Sequence, residues 1–329
     1  MTRFLVILAS LIQVLLISPA RAHELRPAYL DMRETAAGQF AVVWKVPALG
    51  DMRLALYVRL PEACKSNEEP VGSIEAGAHF ERWSVACPEG IKGQQISIDG
   101  LRSTLTDVLA RIAYQDGSTQ VARITPETPH FIASGVQSGF EVAQTYFLLG
   151  VDHILTGLDH LLFVFALILL IRDRWILVKT ITAFTVAHSF TLAGAALGYL
   201  SLPQAPVEAT VALSITFVAR ELAMAQPGER RLSESYPWVV AFAFGLLHGF
   251  GFAGALKEIG LPQTDIPLAL LTFNLGVEAG QLMFVAAVLL GFKAIWALYD
   301  FPIATGRVAA AYAIGTISTV WLISRVSVF

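Results

Sequence analysis

Cysteine is almost missing from this chain of 329 residues: Cys64 and Cys87 are the entire supply. Thiolate ligands, cysteine nucleophiles and disulfides are therefore excluded from everything after residue 87. Charge is also scarce. Asp, Glu, Lys and Arg make up 15% of the residues and hydrophobic types 55%, against roughly 25% and 45–50% in a soluble domain. The net charge of −3 comes without any basic block, so the electrostatic footprint of nucleic-acid binding is absent. No Walker A sequence occurs, and ATP use would require a partner.

The apolar excess is unevenly spread. Residues 1–22 read as a secretory signal: Arg3 gives the positive start, Phe4 to Ile17 carries no charge, and Ala20-Arg21-Ala22 is a small-x-small cleavage site. Cleavage would leave His23 first, where its imidazole and free α-amine form a speculative N-terminal metal chelate. Residues 23–135 alternate as short strands do, for example at 39–46, 53–60, 80–86, 95–98, 108–114 and 119–124. Asp116-Gly117 marks a hairpin turn. The expectation is a small all-β, sandwich-like domain. It shows no Ser-His-Asp set and no metal spacing, which points to a scaffold or partner-binding module. In an oxidising compartment Cys64 and Cys87 are expected to pair.

A connector at 136–148 leads into a membrane α-helical bundle over 149–329. About six transmembrane helices are expected, at 149–171, 177–198, 205–223, 237–257, 266–291 and 303–324, each close to the ~20 residues that cross a bilayer. An exported first domain fixes the first span as outside to inside. Arg172, Arg174, Lys179, Arg230, Arg231 and Lys293 then fall on the inner side, whereas the outer side holds Lys257 and Arg325. That is the positive-inside pattern. It puts the protein in a bacterial inner (plasma) membrane, in contact with lipid, with the β domain and the C-terminus on the periplasmic side.

The spans carry groups that hydrocarbon does not tolerate cheaply. His153, Thr156 and His160 share one helical face at i, i+3 and i+7, and Asp152 and Asp159 form the neighbouring stripe. His188 and Ser189 follow on the second span and His248 on the fourth. Asn274, Glu278 and Gln281 share a face of the fifth. A carboxylate at mid-membrane depth costs about 2.5–3.5 kcal/mol to insert. Its presence therefore argues for side chains that face inward and satisfy one another. We take His153, Asp159, His160, His188, His248 and Glu278 as candidate metal residues, with Asp152, Thr156, Ser189, Asn274 and Gln281 in support. Imidazole and carboxylate donors suit nickel, cobalt, zinc or ferrous iron better than cuprous copper. Gly245, Gly249, Gly251, Gly254, Gly276 and Gly280 read as packing residues that let helices approach closely.

The membrane half, about 146–325, resembles the HupE/UreJ family. The most specific piece is His153-x5-Asp159-His160 followed by Leu161-Leu162-Phe163, which fits the family's H-x5-D-H signature. A signal peptide and a β domain ahead of the bundle resemble its longer subgroup. The resemblance implies a nickel or cobalt permease in which His153, Asp159 and His160 line the metal path. One departure stands out. A second family motif resembling F-H-G-x-A-H-G-x-E reads here Leu247-His248-Gly249-Phe250-Gly251-Phe252-Ala253-Gly254-Ala255, so its second His is Phe252 and its Glu is Ala255.

Three readings follow. The leading one is a divalent-metal permease with nickel or cobalt as the transported ion. The alternatives are an intramembrane metal-dependent hydrolase of the zinc type, and a metal-centre assembly protein that binds a protein partner through its β domain.

Overall fold

A computed structural model describes residues 27–327, apart from 50–51, 67, 76–77, 136, 225–231, 260–265 and 299–302. The expected signal segment 1–22 and His23 lie outside the described residues.

The N-terminal part is all β. Its strands are β1 Ala28–Ala36, β2 Gln39–Leu49, β3 Met52–Arg53, β4 Tyr57–Arg59, β5 Lys65–Ser66, β6 Val71–Glu75, β7 Ala78–Ala86, β8 Gln95–Asp99, β9 Val108–Ala113, β10 Thr119–Ile124 and β11 His130–Ile132. The larger sheet runs β10-β9-β1-β2-β7-β5, with β3 on β2 and β6 on β7; β11, β8 and β4 form the smaller one. One core joins the two. Leu30, Met32, Val42 and Trp44 of the large sheet pack with Ile96, Ile98 and Phe131 of the small one, so alternate residues of each strand are removed from water.

Two strand readings change. The expected strand 53–60 is split between β3 and β4, because Leu56 turns into the core and its carbonyl accepts the Trp44 indole N–H. β1 was missed altogether and lies inside the large sheet, antiparallel to β2 and parallel to β9. Asp116-Gly117 forms the expected turn, Gly117 taking φ 84° and Asp116 accepting the Ser118 amide.

Cys64 and Cys87 are joined by a disulfide that closes 23 residues of chain. It ties β7 to the loop before β5. A loop of that size lowers the entropy of the unfolded chain by the equivalent of roughly 3 kcal/mol.

The helices are α1 Gly139–Thr156, α2 Leu158–Leu170, α3 Arg174–Ala196, α4 Gln204–Ala223, α5 Leu232–Ser235, α6 Pro237–Ile259, α7 Ile266–Leu298 and α8 Ile303–Val326. The connector is mostly helical. Ser138 caps α1 and Glu141 reaches back to it, a complete capping box. At the start of α3 the Asp173 carboxylate caps the amides of Trp175 and Ile176.

α3, α7 and α8 are long and apolar enough to cross a membrane. The expected first span, 149–171, is instead two helices, α1 and α2, bent by 72° at Gly157; counted as one broken span they raise the number to four. α6 is a shorter apolar helix over its described part, and α4 carries Glu208, Arg220 and Glu221 within twenty residues. Leu271 and Leu275 of α7 and Tyr312 and Ile323 of α8 are exposed. An apolar outer face of that kind suits lipid.

Glycine sets the helix spacing. A Cβ at Gly249 of α6 would sit 2.5 Å from the His188 carbonyl oxygen and 2.1 Å from Thr191 Oγ1, both on α3. α6 and α3 are thus in backbone contact at this level. α1 and α7 touch similarly at Gly150 and Gly276.

The β domain packs on α1 through β10 and on α6 through β9. Tyr29, Leu109 and Val121 join a cluster with Val142, Tyr146, Leu192 and Phe273. The Gln137 side chain accepts from the Val121 amide at 2.9 Å and donates to its carbonyl at 2.7 Å, which closes the free edge of β10.

Two outcomes are expected. Replacing both cysteines by Ala should lower the stability of the β domain in the full chain by roughly 3 kcal/mol, measured by urea titration of the Trp44 signal. Gly249→Ala should cost about 1–3 kcal/mol through overpacking, seen as a lower melting temperature of the detergent-solubilised protein.

Candidate metal centre

The break at Gly157 builds the site. In an unbroken helix His153 and His160, seven residues apart, would be separated by about 10.5 Å along the axis. The bend brings their rings to 4.7 Å, edge to face. A side chain at position 157 would intrude, because its Cβ would lie 2.9 Å from His160 Nδ1 and 3.2 Å from Asp159 Oδ1. Gly157 is also extended, with φ −77° and ψ 95°, and its amide donates to the His153 carbonyl.

α3 and α6 supply two further imidazoles. His188 and His248 are fully buried, as is His160. The His160 ring lies 4.9 Å from His248 and 6.4 Å from His188. One ligand atom from each of His153, His160 and His188 falls within 4.8 Å of the others, and the same holds for Asp159, His160 and His248. Both are groups with the spacing of a metal site, and they share His160.

The hydrogen-bond network assigns tautomers. Asn274 Nδ2 donates to the Leu270 carbonyl at 2.8 Å, which turns its Oδ1 toward His188 Nδ1 at 3.1 Å. Oxygen accepts here, so Nδ1 of His188 carries the proton and Nε2 keeps a lone pair. That Nε2 is buried and has no hydrogen-bond partner among the described residues. Ser214 Oγ donates to the Val211 carbonyl at 2.6 Å and stands 3.3 Å from His248 Nε2. His248 Nε2 is then the donor and Nδ1 the lone pair. The Asp159 carboxylate lies 3.0 Å from His160 Nδ1, which makes that nitrogen the donor as well.

His160 Nε2 and His248 Nδ1 consequently face each other at 3.4 Å with lone pairs on both sides. Such a contact is satisfied either by a proton on His160, whose other nitrogen faces the Asp159 carboxylate, or by a cation that both nitrogens bind. Outer partners that fix the ring and tautomer, here Asp159, Asn274 and Ser214, are the usual companions of ligating histidines.

The supporting residues divide. Asn274 is in the site through His188. Thr156 lines the approach and donates to the Asp152 carbonyl. Asp152 faces away, toward the β domain, where Arg123 Nη2 reaches it at 3.1 Å while Arg123 Nε holds Asp107 at 2.7 Å. Glu278 is outside both close groups and accepts from Thr182 at 2.6 Å; Gln281 accepts from Thr185 at 3.1 Å, and Ser189 donates to the Thr185 carbonyl. Thr182, Thr185, Glu278 and Gln281 lie along the α3–α7 seam on the side of His188–Asn274 away from the β domain. The side chains of Phe252 and Ala255, where the second motif departs, lie outside the described residues. Sequence reasoning missed Ser214, though a lone hydroxyl in Val211-Ala212-Leu213-Ser214-Ile215 is a usable signal.

A cavity of about 110 Å³ reaches the cluster, and His153, Asp159, His160 and His248 are among its lining residues.

Apolar helices with outward hydrophobic faces, closed around four imidazoles and a carboxylate at a helix break, define a helical membrane protein with nitrogen-rich side-chain groups that could hold a metal ion. The family model described as HupE / UreJ protein matches residues 131–325, so this chain belongs to the HupE/UreJ family. The curated proteins compared with it give no match.

Asn274→Leu removes the acceptor that orients His188. The expected result is a 10- to 100-fold loss of metal affinity, on the order seen for outer-partner mutations, measured by cobalt titration of the purified protein.

Proposed function

We propose that the protein is a divalent-metal permease whose transported ion is nickel or cobalt, as its membership of the HupE/UreJ family suggests. The observation that supports this reading is a pair of close side-chain groups, His153/His160/His188 and Asp159/His160/His248, that share His160. An ion entering the cavity exchanges water for imidazole nitrogen and carboxylate oxygen. The donors are borderline in softness and include no thiolate, which suits nickel or cobalt. A permeation site must also let the ion go. Glu278, Thr182, Thr185 and Gln281 offer oxygen along the α3–α7 seam for the next step. We further propose that the protein lies in the bacterial inner membrane, with the β domain and the C-terminus outside. Arg172 and Arg174, at the far end of the bundle from the β domain, then fall inside.

The second reading is a zinc-type hydrolase, favoured by the joining of a three-histidine set to a cavity with room for water. One experiment separates the two. Proteoliposomes containing the protein should accumulate radiolabelled nickel or cobalt, and His160→Ala should abolish uptake. A tightly held, stoichiometric zinc ion with no flux would replace the permease by the hydrolase.

A further inference from the structure

The cavity has a charged rim. Its deep wall is the imidazole cluster, but its outer wall includes Gln204 and Glu208 of α4 and Trp321 and Arg325 of α8. Arg325 Nε contacts Glu208 Oε2 at 2.7 Å, and both side chains are about one-third exposed (35% and 28%). His160 and His248, lining the same space, are buried. The Asp159 side chain is exposed to the same degree, 35%, so the pair borders the cavity alongside Asp159 and outside the buried imidazoles, at the end of the bundle that carries the β domain. The rim is built rather than loose. Gln204 Nε2 donates to the Gly251 carbonyl at 2.8 Å, which pins the start of α4 to α6. One turn before Arg325, Trp321 is buried against the cavity.

A guanidinium at the mouth of a cation site is an obstacle. It repels an approaching divalent ion, and the low-dielectric walls of a cleft strengthen that repulsion relative to open water. Glu208 does the opposite, attracting the ion and cancelling the field of Arg325. Because the two are in contact, the rim is neutral overall, and an incoming ion must compete with Arg325 for the Glu208 carboxylate.

We propose that Glu208 and Arg325 set the rate at which divalent cations enter: Glu208 is the entry carboxylate and Arg325 its tethered competitor. This rests on the reading of the imidazole cluster as a cation site. It assigns to the pair a role that a purely structural salt bridge would not have, since the two partners act in opposite directions.

The test is the association rate of Co²⁺ with the full chain in detergent, followed by stopped-flow absorption. At low salt Arg325→Gln should speed association roughly three- to tenfold and Glu208→Gln should slow it by a similar factor. The double variant and Arg325→Lys should stay near the parent. All differences should shrink at ~1 M salt, where screening acts over about 3 Å. Should Glu208→Gln fail to fold, the salt-dependent gain of Arg325→Gln decides alone. Equal rates in all variants, or losses of the same sign in both single variants, overturn the proposal while leaving the permease reading intact. A parent protein that binds no Co²⁺ overturns both.

Discussion

Everything about the metal centre depends on one bend. A straight helix through residues 139–170 would spread His153, Asp159 and His160 along two turns and give each a different neighbour. The 72° break at Gly157 turns the chain aside, so one segment gives His153 and His160 to one close group and Asp159 and His160 to the other. The partner helices answer with His188 and His248, and backbone contact at Gly249 keeps them at the right distance. Asp159, Asn274 and Ser214 hold the outer nitrogens of His160, His188 and His248. The polarity that makes these residues costly in hydrocarbon is the same property that converges on the cavity.

The β domain is fastened close to that bend. Arg123, on β10, links Asp107 of its own domain to Asp152, the residue before His153. Gln137 and the capping box at Ser138 lock the chain where it passes from sheet to helix. α1 is thereby held from above by the domain and from the side by α7, with which it packs at Gly150 and Gly276. The position of His153 is set by elements on both sides of the membrane boundary.

Much of this was legible in the sequence. A β domain ahead of apolar helices, the disulfide and the gathering of histidines follow from strand alternation, compartment and the cost of burying charge, and the family from the resemblance of His153-x5-Asp159-His160 to its signature. What escaped did so for physical reasons. β1 reads Ala-Tyr-Leu-Asp-Met-Arg-Glu-Thr-Ala, and its charged residues mask a strand whose inner face is Ala28, Leu30 and Met32; its partner β9 is eighty residues away. The break at Gly157 was hidden because glycine within an apolar run also serves close packing, and periodicity assumes a straight helix. Asp152 looked like a site residue for the same reason. On a continuous helix it neighbours Asp159, whereas the bend points it to Arg123. Glu278 keeps its face with Asn274 but pairs one turn further along the α3–α7 seam. Pairings across helices, such as Ser214 with His248, depend on helix rotation, which no linear pattern specifies.

The cavity that descends to the cluster also thins the barrier. α2, the segment beyond the break, has 13 residues and spans only about 20 Å, less than the ~30 Å of a hydrocarbon core. A divalent charge carried across 100 mV changes energy by about 4.6 kcal/mol. On the permease reading, with the cavity open to one face, most of that voltage would fall over the length of this one short helix.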